Sequence, residues 1–422
     1  MHGFEYHADE LWCEDVPLDA IATEHGTPAY VYSATSILRR YAAVDAALAS
    51  VPHRICYAVK TNSNLAILGT LARAGAGFDI VSGGELHRLM RVGIDPSRIV
   101  FAGVGKSVAE MRAALGAGIG TFNVESLPEA ETLSRVATAG GVAARIALRV
   151  NPDVQAGGHS YVATGTAAQK FGIPWTEALE IWEHVSRLPG LTPVGLHGHV
   201  GSQILDVGVY RDVAVRLAEL TTALRSRGHV IESLNIGGGL GIRYRDEVEP
   251  DPAAFAAAVL PVVGALGVEL VVEPGRFLVG NAGVLLTRVL YRKQAGGKVF
   301  VIVDAGMNDL VRPSLYDAHH EIVPLRRDAS RRAIEVDVVG PLCESGDFLA
   351  RGRTLPDVEA GDYLAVGGAG AYGFVMASNY NSRPRPAEVL VSGGTAVLVR
   401  ARESLDDLIR GEQDWAPLSP AS

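Results

Sequence analysis

Apolar residues in this chain fall into short runs that end on polar or glycine clusters, and between those runs they recur at helical spacing. Eight runs have strand composition: 55–59 (ICYAV), 78–81 (FDIV), 98–102 (RIVFA), 120–124 (GTFNV), 145–150 (RIALRV), 194–198 (VGLHG), 233–236 (SLNI) and 269–273 (ELVVE). Segments between them, such as GELHRLMRVG, SVAEMRAALGAG and VYRDVAVRLAELTTALRSRG, place apolar residues at i, i+3, i+4 and i+7, and several close on glycine, a helix C-terminal signal. One more amphipathic segment, SATSILRRYAAVDAALAS (33–50), precedes the first strand, so eight helices and eight strands alternate across 33–276. Such alternation predicts parallel strands joined by crossover helices. Eight repeats close into an α/β fold of the (β/α)8, TIM-barrel type, here with a helix leading. An open doubly wound sheet is the alternative.

After Arg276 the period changes. GVLLTRVLYRK, KVFVIVDAG, AIEVDVVG, DYLAVGGAG and AEVLVSGGTAVLVRA show β-branched alternation bounded by Gly and Pro, and helical spacing returns only at SLDDLIRG. This predicts a second, mostly antiparallel C-terminal β domain. The strand-like PAYVYS near the start is expected to join it, dividing the chain into a barrel at 33–276 and a β domain from 1–32 and 277–422.

Composition narrows the function classes. At 422 residues there is room for two domains with real cores, and 48% hydrophobic with 20% charged residues describes a globular protein. The net charge is −9 and no Lys/Arg-rich run occurs, which argues against a nucleic-acid partner. The apolar runs are too short to cross a bilayer, and the acidic start has no signal-peptide core. Cys13, Cys56 and Cys343 lie far apart, which fits a reducing compartment and lacks the paired spacing of a metal site. A soluble cytoplasmic enzyme without a metal is the expectation.

In a (β/α)8 barrel, chemistry sits at the C-terminal ends of the strands. Those ends carry Lys60 (within YAVKTNSN), Asp79 and Ser82, Asn151, His199 and Ser202, Gly237-Gly238-Gly239, and Glu273-Pro-Gly-Arg276. Taken singly, Lys60 reads as a solvated strand end, His199 as a hydrogen-bonded core histidine and the glycines as a turn. Their joint placement on one face points instead to a site. A lysine in a partly desolvated barrel mouth is expected to have a lowered pKa and to form a Schiff base with a carbonyl. The glycine run can offer backbone N–H groups to a phosphate, Glu273 can pair with a protonated ring nitrogen, and His199 can lie flat against a ring. These are the requirements of pyridoxal 5′-phosphate (PLP). The GGGLG run lacks the G-x-G-x-x-G spacing of a dinucleotide site.

Read in order, YAVKTNSN, FDIVSGGE, HVGSQ, NIGGGLG, EPGR, RPSLYDAHHEI, CESGDFLA, GAYG and SNYNSRPRP resemble the diaminopimelate decarboxylases over nearly the whole chain. These are fold type III PLP enzymes, grouped with ornithine and arginine decarboxylases and more distantly with alanine racemase. The resemblance implies a carboxy-lyase that converts meso-2,6-diaminopimelate, at its D-centre, into L-lysine and CO2 as the last step of lysine biosynthesis. It makes Lys60 the cofactor-bearing lysine and His199 the ring-stacking histidine. Asp79 would also face the cofactor, and Ser202, Gly239, Gly275, Arg276 and Tyr372 would surround its phosphate. Glu273 would bind the pyridine nitrogen and keep it protonated, which favours decarboxylation; related racemases have an arginine there.

For the substrate's distal end the resemblance assigns Arg276, Arg312 and Tyr316 to the carboxylate and Glu344 to the ammonium, counts Tyr372 among the substrate-binding residues, and makes Cys343 the proton donor. An arginine grips a carboxylate through two parallel hydrogen bonds. The resemblance also implies a homodimer in which the CESGD segment reaches the partner's barrel. Val375 and the GGHSY stretch (157–161) depart from the family pattern and touch only fine substrate preference. The rival readings are a decarboxylase for ornithine, lysine or a carrier-bound amino acid, and a non-catalytic PLP-binding regulatory protein.

Overall fold

The computed structural model describes residues 3–154 and 170–413. Eight strands run in parallel: β1 His53–Ala58, β2 Gly77–Ile80, β3 Ile99–Phe101, β4 Thr121–Val124, β5 Ala144–Asn151, β6 Leu191–His197, β7 Ser233–Asn235 and β8 Glu269–Val272. The ring closes where β8 pairs with β1, Leu270 opposite His53 and Val271 opposite Arg54, and where β4 pairs with β5. The helices are α1 Ala34–Leu48, α2 Leu65–Arg73, α3 Gly83–Val92, α4 Val108–Ala117, α5 Leu127–Ala139, α6 Ala178–Val185, α7 Gly208–Ser226 and α8 Pro252–Gly264. The closed barrel excludes the open sheet, and the leading helix is α1. GGHSY (157–161) lies outside the described residues.

Local chemistry sets the helix starts. The Ser-x-x-Glu spacing recurs at Ser82/Glu85, Ser107/Glu110 and Ser126/Glu129, and each serine hydroxyl accepts the N–H of its glutamate. At Ser107 the glutamate also reaches back to the serine N–H, completing a capping box. Among the described residues no helix is long and apolar enough to cross a membrane.

The barrel interior follows from the two-residue period of a strand. Phe78, Ile80, Phe122, Val124, Leu196, Leu234 and Val272 face the helices and belong to the main core. On the inner side, Cys56, Val100 and Val271 form a small apolar cluster. The inner positions nearer the C-terminal ends are polar: Asp79, Asn123, His197, Asn235 and Glu273, all buried.

The second sheet is mostly antiparallel, as expected, with two parallel pairings. Ala29–Ser33, from the PAYVYS segment, lies antiparallel to Gly283–Ala295 and parallel to Ala387–Ser392. Lys298–Val303 runs parallel to Ala333–Val339. Tyr30 and Tyr32 pack into the core shared with the barrel, whereas Val31 packs on the opposite face in a smaller core with Phe4, Leu11, Leu18 and Ile21.

Two parts of this region were not expected from the sequence. Phe348–Pro356 pairs with Ala333–Val339, but its register shifts twice, which breaks the alternation that would have marked it. The N-terminal Phe4–His7, Glu10–Cys13 and Val16–Pro17 form a three-stranded sheet of pieces too short to carry a period.

Candidate active site

Lys60 sits in the single turn Val59–Thr61 that follows β1, and its Nζ donates to Asp79 Oδ2 at 2.7 Å. Asp79 is buried at the inner position of β2, and its Oδ1 has no hydrogen-bond partner. The expected lowering of the lysine pKa is corrected here. Burial presses Lys60 in that direction, but the carboxylate of Asp79, with Tyr372 and Glu273 beyond it, holds the ammonium above the ordinary lysine value. Asp79 itself is pushed up by burial, with the Lys60 charge restraining it.

The residues after Lys60 fix this turn to the second domain. Thr61 Oγ1 donates to the Ala58 carbonyl at 2.8 Å, and the Thr61 carbonyl accepts the Tyr372 N–H at 2.8 Å. Asn62 Nδ2 donates to the Gly370 carbonyl at 3.1 Å, and Asn64 Nδ2 donates to Glu388 Oε2 at 3.0 Å. The small and amide residues of TNSN are therefore a joint between barrel and β domain. Gly275 packs against the side chains of Ala58 and Thr61 from the β8 side.

Glu273 follows β8 and points inward. Its Oε1 accepts Asn235 Nδ2 at 2.6 Å and Asn123 Nδ2 at 3.2 Å, and its Oε2 lies 3.3 Å from His197 Nε2. Burial alone would raise this carboxyl, but His197, the Lys60 charge and the Asn235 amide hold it below the ordinary carboxylate range. Glu273 is thus an ionised carboxylate at the floor of the mouth, suited to a protonated ring nitrogen.

The glycine run after β7 passes directly over this floor. Any side chain at Gly238 would collide with the Glu273 carbonyl, and one at Gly239, which adopts φ +101°, would collide with the Gly201 carbonyl. His199, half-buried after β6, accepts the Gly238 N–H on Nδ1 at 3.2 Å. Burial lowers its pKa, as do the charges of Arg149 and Lys60, so the imidazole is neutral. Ser202 accepts from Arg276 Nη2 at 3.0 Å. Ser82 caps α3, and Asn151 accepts the Asp153 N–H at 3.0 Å, so neither is drawn into the Lys60–Asp79 pair.

A second polar group lies beside the first. Arg276 is buried, donates to Tyr244 Oη at 2.5 Å and stacks 4.8 Å from the Tyr372 ring centroid. Arg312, also buried, opens the short helix Arg312–Tyr316 and lies 4.7 Å over the Tyr244 ring. Tyr316 closes that helix within electrostatic reach of both arginines. No ion pair to either guanidinium occurs among the described residues; their polar partners are Tyr244, Ser202 and His320.

Cys343 and Glu344 do not join either group within the chain. Both are exposed on the loop before Phe348–Pro356, where the Cys343 N–H donates to Asn381 Oδ1 at 2.9 Å and Glu344 Oε1 accepts the Gly346 N–H at 3.1 Å. Val375 sits in the single turn Phe374–Met376, half-buried.

Sequence reasoning did not single out Asn123, His197, Asn235, Tyr244 or His320. The first three carried a signal, since each is a polar residue in phase with the inner face of an apolar strand. Tyr244 and His320 lie in loops and are joined only by tertiary contact. The residues present fit pyridoxal phosphate: a lysine amine, an ionised buried carboxylate, a glycine loop closed to side chains, and buried Asp79 Oδ1 and Arg276 Nε without partners.

A parallel barrel with a lysine after its first strand and a carboxylate after its last defines a class, and the comparisons agree. Residues 34–280 match the family model described as pyridoxal-dependent decarboxylase, pyridoxal binding domain, and the chain belongs to that family. It is 50% identical to the diaminopimelate decarboxylase of Pseudomonas aeruginosa over 98% of this chain and 99% of that one. The structure of diaminopimelate decarboxylase from Helicobacter pylori complexed with L-lysine superimposes with TM-score 0.90 at 40% identity, covering 93% of this chain and 98% of that one. The corresponding structure from M. jannaschii, also in complex with L-lysine, gives TM-score 0.93 at 34% identity, covering 98% of each chain.

Proposed function

We propose that this chain removes CO2 from the D-configured centre of meso-2,6-diaminopimelate with pyridoxal phosphate as cofactor, releasing L-lysine in the last step of lysine biosynthesis. The observation that carries the substrate assignment is the pair of buried guanidinium groups, Arg276 and Arg312, with no carboxylate partner among the described residues. A buried cation needs compensation, and a substrate with a second carboxylate supplies it. Ornithine and lysine carry no carboxylate beyond the one that would leave.

When bound, pyridoxal phosphate supplies an electron-accepting ring to the carbon that loses CO2. Lys60 Nζ would bear the cofactor, and Asp79 Oδ2, which accepts a hydrogen bond from Nζ, holds the free lysine as an ammonium until the cofactor arrives. Glu273 would hold a proton on the ring nitrogen, His199 would face the ring, and the backbone of Gly237–Gly239 and Gly275–Arg276 would hold the phosphate with Ser202. Arg276, Arg312, Tyr316 and Tyr372 orient the far end of the substrate. With a barrel at 33–276 and a β domain from 1–32 and 277–422, the cofactor residues other than Tyr372 would belong to the barrel and most far-end residues to the β domain.

Cys343 and Glu344 are exposed in this chain, and they complete the site of a second copy in a homodimer, with Glu344 meeting the far ammonium and Cys343 donating the proton that replaces CO2. A CO2-release assay with meso-diaminopimelate, L-lysine and L-ornithine as alternative substrates tests the reading. CO2 release from diaminopimelate alone is expected; equal turnover of L-ornithine would refute the substrate.

A further inference from the structure

Arg312 is held in an unusual way for a buried guanidinium. Buried arginines are ordinarily met by a carboxylate. Here Nη1 lies 2.9 Å from His320 Nε2. His320 Nδ1 lies 2.8 Å from the Gly367 carbonyl, which can only accept. The hydrogen is therefore on Nδ1, and the Nε2 lone pair faces the arginine.

The ring is fully buried and stands edge-on to Tyr244, 5.4 Å between centroids at 75°. Arg353 Nη1 fixes the His320 carbonyl at 2.8 Å. Burial and the charge of Arg312 push the His320 pKa down to about 3, so the acceptor stays neutral at any working pH.

We infer that His320 is a positioning residue for substrate selection: a neutral acceptor that fixes the Arg312 guanidinium on the Tyr244 face while leaving its charge for the substrate's far carboxylate. The inference rests on the assignment of Arg312 made above. A carboxylate at 320 would orient the fork equally well but cancel its charge. An apolar side chain would leave the charge but free the fork to turn.

The test uses the holoenzyme and the variants His320→Glu, His320→Gln, His320→Leu and Arg312→Ala. Steady-state kinetics with meso-diaminopimelate are combined with calorimetric binding of L-lysine, and bound-cofactor absorbance and melting temperature serve as folding controls. His320→Glu is expected to raise KM and the L-lysine dissociation constant by about tenfold to a hundredfold, the weight of one charged hydrogen bond. Its kcat should stay within about threefold, because the lost contact is not specific to the transition state. Glutamine keeps a neutral acceptor and a donor, so His320→Gln should keep both constants within about threefold of the parent.

An unchanged KM in His320→Glu, or a His320→Gln as impaired as His320→Glu, overturns the inference. Should His320→Glu fail to fold or to keep cofactor, His320→Leu carries the test, with the same expected rise in KM and the same meaning for an unchanged value. Arg312→Ala separates the two levels. An unchanged KM there refutes the substrate assignment, whereas a raised KM there with parental values in the His320 variants refutes only the role of His320.

Discussion

Lys60 Nζ and Asp79 Oδ2 form an ion pair at 2.7 Å whose carboxylate is wholly buried, and this pairing sets the charge of the lysine. Nζ attacks an aldehyde only when neutral, so Asp79 delays that state to higher pH. Asp79→Asn removes the strongest interaction favouring the ammonium, and the midpoint for pyridoxal phosphate uptake by the apoprotein should move down by at least about one pH unit. Stopped-flow absorbance of cofactor uptake between about pH 7 and 11 measures it. A midpoint that stays put or rises would contradict the assignment of charge.

Lys60→Ala should eliminate turnover and the absorbance of lysine-bound cofactor. Gly238→Ala should act differently, since the added methyl meets the Glu273 carbonyl and forces the glycine loop, the proposed phosphate cradle, off the floor of the site. We expect a rise in the pyridoxal phosphate dissociation constant of at least about tenfold with the far-ultraviolet circular dichroism unchanged, the displacement costing about 1–3 kcal/mol. Equilibrium dialysis against cofactor reads it, and parental affinity would show that the loop does not hold the phosphate.

The exposure of Cys343 and Glu344 predicts complementation. Lys60→Ala and Cys343→Ala are each expected to be nearly inactive. Unfolded together and refolded at equal concentration, they should recover about a quarter of the parental sites, because half of the dimers are mixed and each has one intact site. No recovery would place Cys343 in the same chain's site.

Acid sensitivity follows from His320. Its folded pKa of about 3 lies below that of an unfolded histidine, so between these values the unfolded chain binds more protons. This stabilising contribution is complete above the unfolded pKa and is lost as pH falls toward the folded one. The slope is at most about 1.4 kcal/mol per pH unit. Urea midpoints should fall more steeply between about pH 6.5 and 4 in the parent than in His320→Gln. Parallel curves would show that the imidazole is not held neutral.

The barrel was legible because its strands and helices have different periods and short connections, so each of β1 to β8 announces itself locally. Lys60, Glu273 and the glycine run were legible for the same reason, since strand ends are where a barrel turns its chemistry outward. Phe348–Pro356 was not, because two register shifts erase its alternation. Asn123, His197 and Asn235 were visible in phase but had no meaning until the ring closed and brought them to Glu273. The partnership of Tyr244, Arg276, Arg312 and His320 has no local signature; it exists only because loops of the barrel and of the second domain meet.

The joint at Thr61, Asn62 and Asn64 has a mechanical consequence. The turn that holds Lys60 is the same turn that holds the Gly370–Tyr372 backbone, and Tyr372 in turn lies against Arg276. On the roles proposed above, the groups that would meet opposite ends of the substrate thus hang from one shared turn. Their separation would then work as a caliper, set by the hydrogen bonds of that turn to the Gly370–Tyr372 backbone, so that a substrate would be selected by length.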